Sequence, residues 1–238
     1  MAAPTSLAIG TTLLLASAII AGPPGASVVR AAHARTIQLL PGAVKALAPG
    51  KLLIAARELP DPNFARTVVL IVEHDDRSTM GLVVNRQSEV TLATVFKQVK
   101  PGTGPAPAFF LGGPVQTDAV VGLVRATDAP GGDDTRRVFG DVYLLSGRAP
   151  LEHQIVAGAD ANRCRVYVGY AGWASGQLEE ETVQHAWYVL PGTADLVFDA
   201  HPDSLWDRLI VRTEGLSAGI LSEAGSGRRA AGSALQHF

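Results

Sequence analysis

The chain has 238 residues, 47% of them apolar, and 22 acidic against 20 basic side chains give a net charge of −2. That length suits one domain with a short appendage, and the apolar share supports a sizeable core and speaks against a disordered chain. The charge balance lacks the basic footprint of a protein that grips nucleic acid through its phosphates; the densest basic pairs, Arg136-Arg137 and Arg228-Arg229, read as solvated charge in loop-like sequence.

At the N-terminus an apolar stretch runs from Leu7 to Ala21, followed by Gly22-Pro23-Pro24-Gly25 and by Ala32-His33-Ala34, a small-x-small cleavage pattern. The stretch is short for a membrane span, which needs ~20 residues. A signal peptide over 1–34 is expected, although no Lys or Arg precedes the apolar run, with a linker over 35–49. The alternative is an incidental extension and a cytoplasmic protein.

The body then alternates strand and turn. Leu52–Ala55 reads as a buried strand, Pro60–Asn63 as a turn, Thr67–Glu73 as a β-branched central strand, Asp75–Ser78 as a turn and Met80–Asn85 as its hairpin partner. Leu92, Val95, Phe96 and Val99 are spaced as one helix face over Thr91–Val99. Pro101–Pro107 is a linker. Ala108–Leu111, Val120–Val124, Val142–Leu145 and Arg165–Tyr170 read as strands, and Ala129–Thr135 as a polar loop. Helices are expected over Leu151–Ala159, Gln177–Trp187 and Ser204–Arg212, the last with Asp203 as N-cap. Residues 225–238 read as a frayed tail. Strands outnumber helices without regular alternation, which favours α+β over a doubly wound parallel sheet.

Few constellations look chemical. Cys164, the single cysteine, alternates with Val166 and Val168 and reads as a buried structural thiol. Glu73-His74-Asp75-Asp76 ends a strand. Adjacent strand residues face opposite ways, and no second histidine stands at metal spacing, so a metal is not expected. The run reads as a solvated turn, with a functional carboxylate and imidazole as the alternative. Asn85-Arg86 ends the partner strand, where arginine either pairs with Glu73 or Asp75 across the hairpin or clamps an anion. Phe110-Leu111-Gly112-Gly113-Pro114 is a tight strand end or an exposed set of backbone N–H groups; it is neither a Walker loop nor a dinucleotide fingerprint. No G-x-S-x-G elbow occurs. In GYAGWASGQLEEE, from Gly169, the glycines permit a turn between strand and helix. Trp173 caps the core edge, and Glu179, Glu180 and Glu181 suit the positive end of the helix dipole. A ligand-facing aromatic loop is the alternative reading.

Taken together, ordered blocks resemble the bacterial YqgE/AlgH family. They are Gly50–Ala55, Asp61–Phe64 with Arg66–Val69, Glu73-His74, Gly81–Arg86, Gly112–Val115, Gly169–Trp173 with Gly176–Glu179, and Trp187. The resemblance covers about Gly50 to Arg212 and, less closely, the stretch to residue 224. It implies an α+β fold on a bent, branching mixed β-sheet with a small barrel-like part, surrounded by helices. It implies no cofactor and no catalytic residue. Some members carry a transcriptional-regulator label. Members often have proline near Arg57 and at Gln87, and they are usually cytosolic without the first forty-eight residues.

The function expected is non-enzymatic binding or regulation, with an unidentified protein or small molecule as partner, no nucleic acid, and no membrane span in the mature chain. The candidate surface comprises Glu73, His74, Asn85, Arg86, Gly112, Gly113, Tyr170, Trp173 and Gln177. The alternatives are a hydrolase with His74 as base and Arg86 as anion clamp, which needs both in one pocket, and, if the protein is cytosolic, a transcriptional regulator.

Overall fold

A computed structural model describes residues 47–97 and 106–215, all within the compact unit Leu39–Phe238. The expected signal peptide, most of the 35–49 linker, Val99, Pro101–Pro105 and the tail after residue 215 lie outside the described residues.

The protein is α+β, and its curled sheet forms a half-barrel. The strands are β1 (Lys51–Ala55), β2 (Val68–His74), β3 (Ser78–Val83), β4 (Ala108–Leu111), β5 (Val115–Arg125), β6 (Thr135–Phe139), β7 (Val142–Ser146), β8 (Cys164–Ala174) and β9 (Trp187–Pro191). They join in the order β6-β7-β5-β8-β3-β2-β1-β9, and β4 adds to β8 as a side branch. Pairing is antiparallel except between β4 and β8. The eleven-residue β8 is the pivot. Its first part lies between β4 and β5, and its last part, Ala171 to Ala174, pairs with β3.

That branch needs glycine. Gly169 has φ +67°, and a Cβ there would stand 2.4 Å from the Gly113 carbonyl oxygen. A Cβ on Gly113 would in turn stand 2.2 Å from the Tyr170 carbonyl carbon. Two backbones thus cross at a separation that any side chain would forbid.

Two apolar clusters form the core. The larger packs Leu52, Ile54, Leu70, Leu82 and Tyr167 against Trp206, Leu209 and Ile210 of the last helix, α5 (205–215). Strands β1 and β2 are buried on both faces, which is why they read as unbroken apolar runs. The smaller packs Phe109, Leu145, Cys164 and Val166 under α1 (Leu92–Val95) and α2 (Arg148–Val156).

Several sequence expectations change. Arg136-Arg137 lie on edge strand β6, not in a loop; exposed charge suits an edge, and a register shift between Arg137 and Phe139 hides the alternation. The helix expected over Gln177–Trp187 is α3 (Gln177–Val183) and stops early. His185 takes φ +62°, and Trp187 opens β9, which pairs with β1 through all five residues. Between Thr193, whose hydroxyl accepts from the Leu196 amide, and Phe198 lies the short helix α4 (Ala194–Val197). Asp203 sits inside a 3-10 turn, Pro202–Ser204, ahead of α5. The helix over Thr91–Val99 is a single turn among the described residues.

At Arg57 and Gln87, where the family resemblance leads to the expectation of proline, this chain makes specific contacts. Arg57 pairs with Glu214 at 2.8 Å and lies over the Trp206 ring, while Gln87 bridges to Phe110.

Candidate functional site

The site is built around one loop and the pair that holds it. Asp61 accepts the Asn63 amide at 2.8 Å and starts a tight turn. Arg66 closes it at φ +56°, a conformation few non-glycine residues adopt. Asn85, leaving the end of β3, stabilises that closure. Its side-chain oxygen accepts the Val68 amide at 2.7 Å, and its NH2 donates to the Arg66 carbonyl at 3.0 Å. Asn85 is buried with both ends of its amide engaged, so its role is to hold the loop.

Arg86 continues the grip. One terminal nitrogen donates to the Asn63 carbonyl at 2.6 Å, and the other reaches the carbonyls of Ala65 at 3.3 Å and Pro62 at 3.5 Å. Among the described residues Arg86 makes no ion pair, so the pairing with Glu73 or Asp75 expected across the hairpin does not occur. The reason is local: Arg86 follows the end of β3, beside the 61–67 loop, whereas Glu73 and Asp75 lie at the β2–β3 turn. Burial draws the Arg86 guanidinium below its usual pKa, partly offset by Asp61. It stays a cation in water-accessible surroundings.

Beside Arg86 opens a cavity of about 320 Å3. Arg86, Asn63 and Thr117 supply its polar wall; Leu111, Pro114 and Val168 supply an apolar one, and Gly113 completes the rim. The register shift in β5 between Val115 and Val120, with Gln116 at φ +46°, brings Thr117 there. The Gly112 amide donates to the Val168 carbonyl at 2.8 Å, and the Leu111 amide to the Arg86 carbonyl at 2.9 Å, fixing both walls to one frame.

A second cavity, about 230 Å3, lies elsewhere and holds the other chemical-looking run: Glu73, His74, Asp75, Arg136 and Arg137 line it. Glu73 forms an ion pair with Arg136 of β6. The His74 ring nitrogen Nδ1 is 2.7 Å from the Thr79 hydroxyl, and Nε2 is 3.8 Å from Glu179. Asp75 is held below the usual carboxylate range by the Arg77 and Ser78 amides that it accepts. His74 and Arg86 therefore line different cavities, and the shared pocket that a hydrolase would need is not formed by them.

The other sequence candidates serve the frame. Gly112 and Gly113 make the close crossing at β8, and Tyr170 pairs with Val115 there. Trp173 is buried, stacked on Phe64 at 5.9 Å and edge-on to Trp187. Gln177 accepts the Ala174 amide and donates to Glu181. Sequence reasoning missed Glu181. One of its oxygens accepts both indole N–H groups, from Trp173 at 2.9 Å and Trp187 at 2.8 Å. Its helix position only suggested dipole stabilisation; the tryptophans converge on it through β8 and β9. Thr117 was missed too, because its β-bulge leaves no periodic signal.

Cys164 is buried, and burial pushes its thiol up to about 12, so it is no nucleophile at neutral pH. Among the described residues no group of three or more His, Cys, Asp or Glu is placed to hold a metal ion. No described helix is long and apolar enough to cross a membrane.

Residues 52–217 match the family model described as AlgH-like. The chain belongs to the AlgH-like family. A UPF0301 protein of Azoarcus sp. (strain BH72) is 39% identical over 171 residues, covering 69% of this chain and 86% of that protein. The solution structure of the AlgH protein from Pseudomonas aeruginosa superposes with a TM-score of 0.57 at 32% identity, covering 78% of this chain and 96% of that one. The crystal structure of protein DIP2367 from Corynebacterium diphtheriae gives a TM-score of 0.59 at 30% identity over 70% and 87% of the two chains. The residues matched by the family model include the loop, strand ends and glycine crossing that shape the Arg86 cavity. These likenesses attach no activity to it.

Proposed function

We propose that this AlgH-like protein is a non-catalytic binding protein with regulatory rather than chemical output, and that the cavity beside Arg86 is where its ligand sits. One observation carries the reading. Arg86 is half-buried at a cavity wall, and its hydrogen bonds go to neutral backbone carbonyls rather than to a carboxylate. A half-buried cation that a nearby carboxylate, Asp61, offsets only through space is incompletely compensated, and an anionic ligand group that reaches it gains a charge-assisted hydrogen bond of about 1.5–3 kcal/mol. The separation of His74 from Arg86 also favours binding over catalysis, since the imidazole that would serve as base lines the other cavity.

A thermal-shift screen of the full chain against small anions, cations and neutral compounds tests this. Anions at about a hundredfold over Kd contribute about 2.7 kcal/mol, which for a chain this size raises Tm by about 5–10 °C. Arg86→Gln should cut the shift by half or more, with circular dichroism unchanged. A flat response to every anion would sink the proposal.

We further propose, from Leu7–Ala21 and Ala32-His33-Ala34, that the protein is exported and starts near Arg35. N-terminal mass spectrometry of the native protein checks it: a cytoplasmic chain retaining Met1 is the contrary result.

A further inference from the structure

Resting on that assignment of the cavity, we infer that its ligand is a monocarboxylate carrying a short apolar body, not a phosphate. Charge is the first reason. Arg86 is the one cation among the described residues lining the cavity, and Asp61 already acts on it electrostatically. The other nearby loop arginine, Arg66, is committed to Asp207 at 2.7 Å and to the Trp206 ring. One partly offset positive charge balances a monoanion; a dianion would be left uncompensated in a half-dry site.

Donor number is the second reason. Arg86 has five N–H groups, and its three backbone contacts leave at least two free. The free hydrogens, on Nε and on one terminal nitrogen, lie on different edges of the guanidinium, so one of them can meet a carboxylate oxygen and the Thr117 hydroxyl can add a second bond. Phosphate recognition asks for more donors than this wall holds.

Apolar surface is the third reason. Leu111 is 50% exposed, and together with Pro114 and Val168 it forms a wall that water wets poorly. A volume of about 320 Å3 is about ten water-sized groups, enough for a carboxylate with a tail of four to six carbons.

Isothermal titration of the full chain with sodium hexanoate, acetate, hexanol and inorganic phosphate tests the inference. Hexanoate should bind, and about tenfold or more tighter than acetate, as tail carbons leave water. Hexanol and phosphate should give no heat. N-acetyl-leucine, run alongside, separates a free acid from the carboxyl end of a peptide as the source: the tighter binder identifies it.

Arg86→Gln should weaken hexanoate about tenfold or more. Because Arg86 also holds the 61–67 loop, Leu111→Glu provides an independent variant. It leaves every Arg86 bond in place and sets a carboxylate against the ligand at an exposed position, so hexanoate binding should be lost. Leu111→Ala should narrow the gap between hexanoate and acetate. Phosphate binding without hexanoate binding overturns the inference while the Arg86 seat survives. If no probe binds the wild-type chain while the earlier screen finds another anion, the inference fails alone; if neither finds one, both fail.

Discussion

Arg86 and Arg136 each line a cavity, and their surroundings differ in one decisive way. Arg136 sits on edge strand β6 and meets Glu73 of β2, so its charge is neutralised within the chain. Arg86 sits past the end of β3 and meets only carbonyls. A third arginine, Arg165, shows the remaining option: it also makes no ion pair among the described residues, but it is buried between the rings of Phe110 and Phe198 and bonds to the carbonyls of Val84 and Asp199. Arg136 lacks the need for an external anion, and Arg165 lacks access to one. Of these three arginines, Arg86 alone combines need with access; Arg137, beside Arg136, makes no ion pair among the described residues either, but it is exposed, bonded to the Tyr143 hydroxyl and already shares its cavity with Glu73 and Asp75.

The strongest way to break this contrast is at the crossing that shapes the Arg86 cavity alone. Gly169→Ala forces φ +67° on a residue with a Cβ and drives that Cβ against the Gly113 carbonyl oxygen. A loss of about 3 kcal/mol or more in urea unfolding is expected. A near-neutral result would mean that the strands can separate there, and that the cavity has no fixed wall.

Next comes Glu181. Removing its carboxylate as Glu181→Ala orphans two indole N–H groups at once. About 2–3 kcal/mol should be lost, with a change in tryptophan fluorescence, whereas Glu181→Gln keeps an acceptor and should cost less. Neither variant should alter ligand response, because neither cavity uses Glu181 as a wall.

The two arginines then compare directly. Arg136→Gln deletes an exposed ion pair, and its stability should stay within about 1 kcal/mol of wild type. Arg86→Gln removes hydrogen bonds to the loop, at a cost of about 1–3 kcal/mol. Equal costs in denaturation curves would erase the distinction drawn between them.

The smallest effect is at Asp75. Its folded pKa lies below the unfolded value because two amides bond the charged form. Its contribution is therefore complete above about pH 4 and is lost as the pH falls through the folded value. Asp75→Asn should lower stability slightly at neutral pH and converge with wild type below the folded value, flattening the acid limb; a difference confined to acid pH contradicts this account.

Much of this protein was legible without coordinates. The buried runs Leu52–Ala55 and Thr67–Glu73, the Asp61 and Asp75 turns, the inert thiol of Cys164 and the α+β class follow from local rules: β-branched runs, Asx bonding and alternation act over a few residues. The ordered blocks sufficed to indicate the AlgH-like family. What local rules cannot reach is which distant groups meet. The run Trp187–Leu190 is rich in strand formers, yet a preceding helical pattern masked it until β1 offered a partner. Glu73 and Arg136 are 63 residues apart, so that only the curl of the sheet neutralises one arginine and leaves Arg86 bare. Thr117 reaches the cavity through a bulge, and Glu181 finds two indoles through strands on either side of its helix. The sequence by itself determined the elements and most of their faces, because those depend on neighbours along the chain. Tertiary structure alone decided which charges are satisfied, because that depends on neighbours in space.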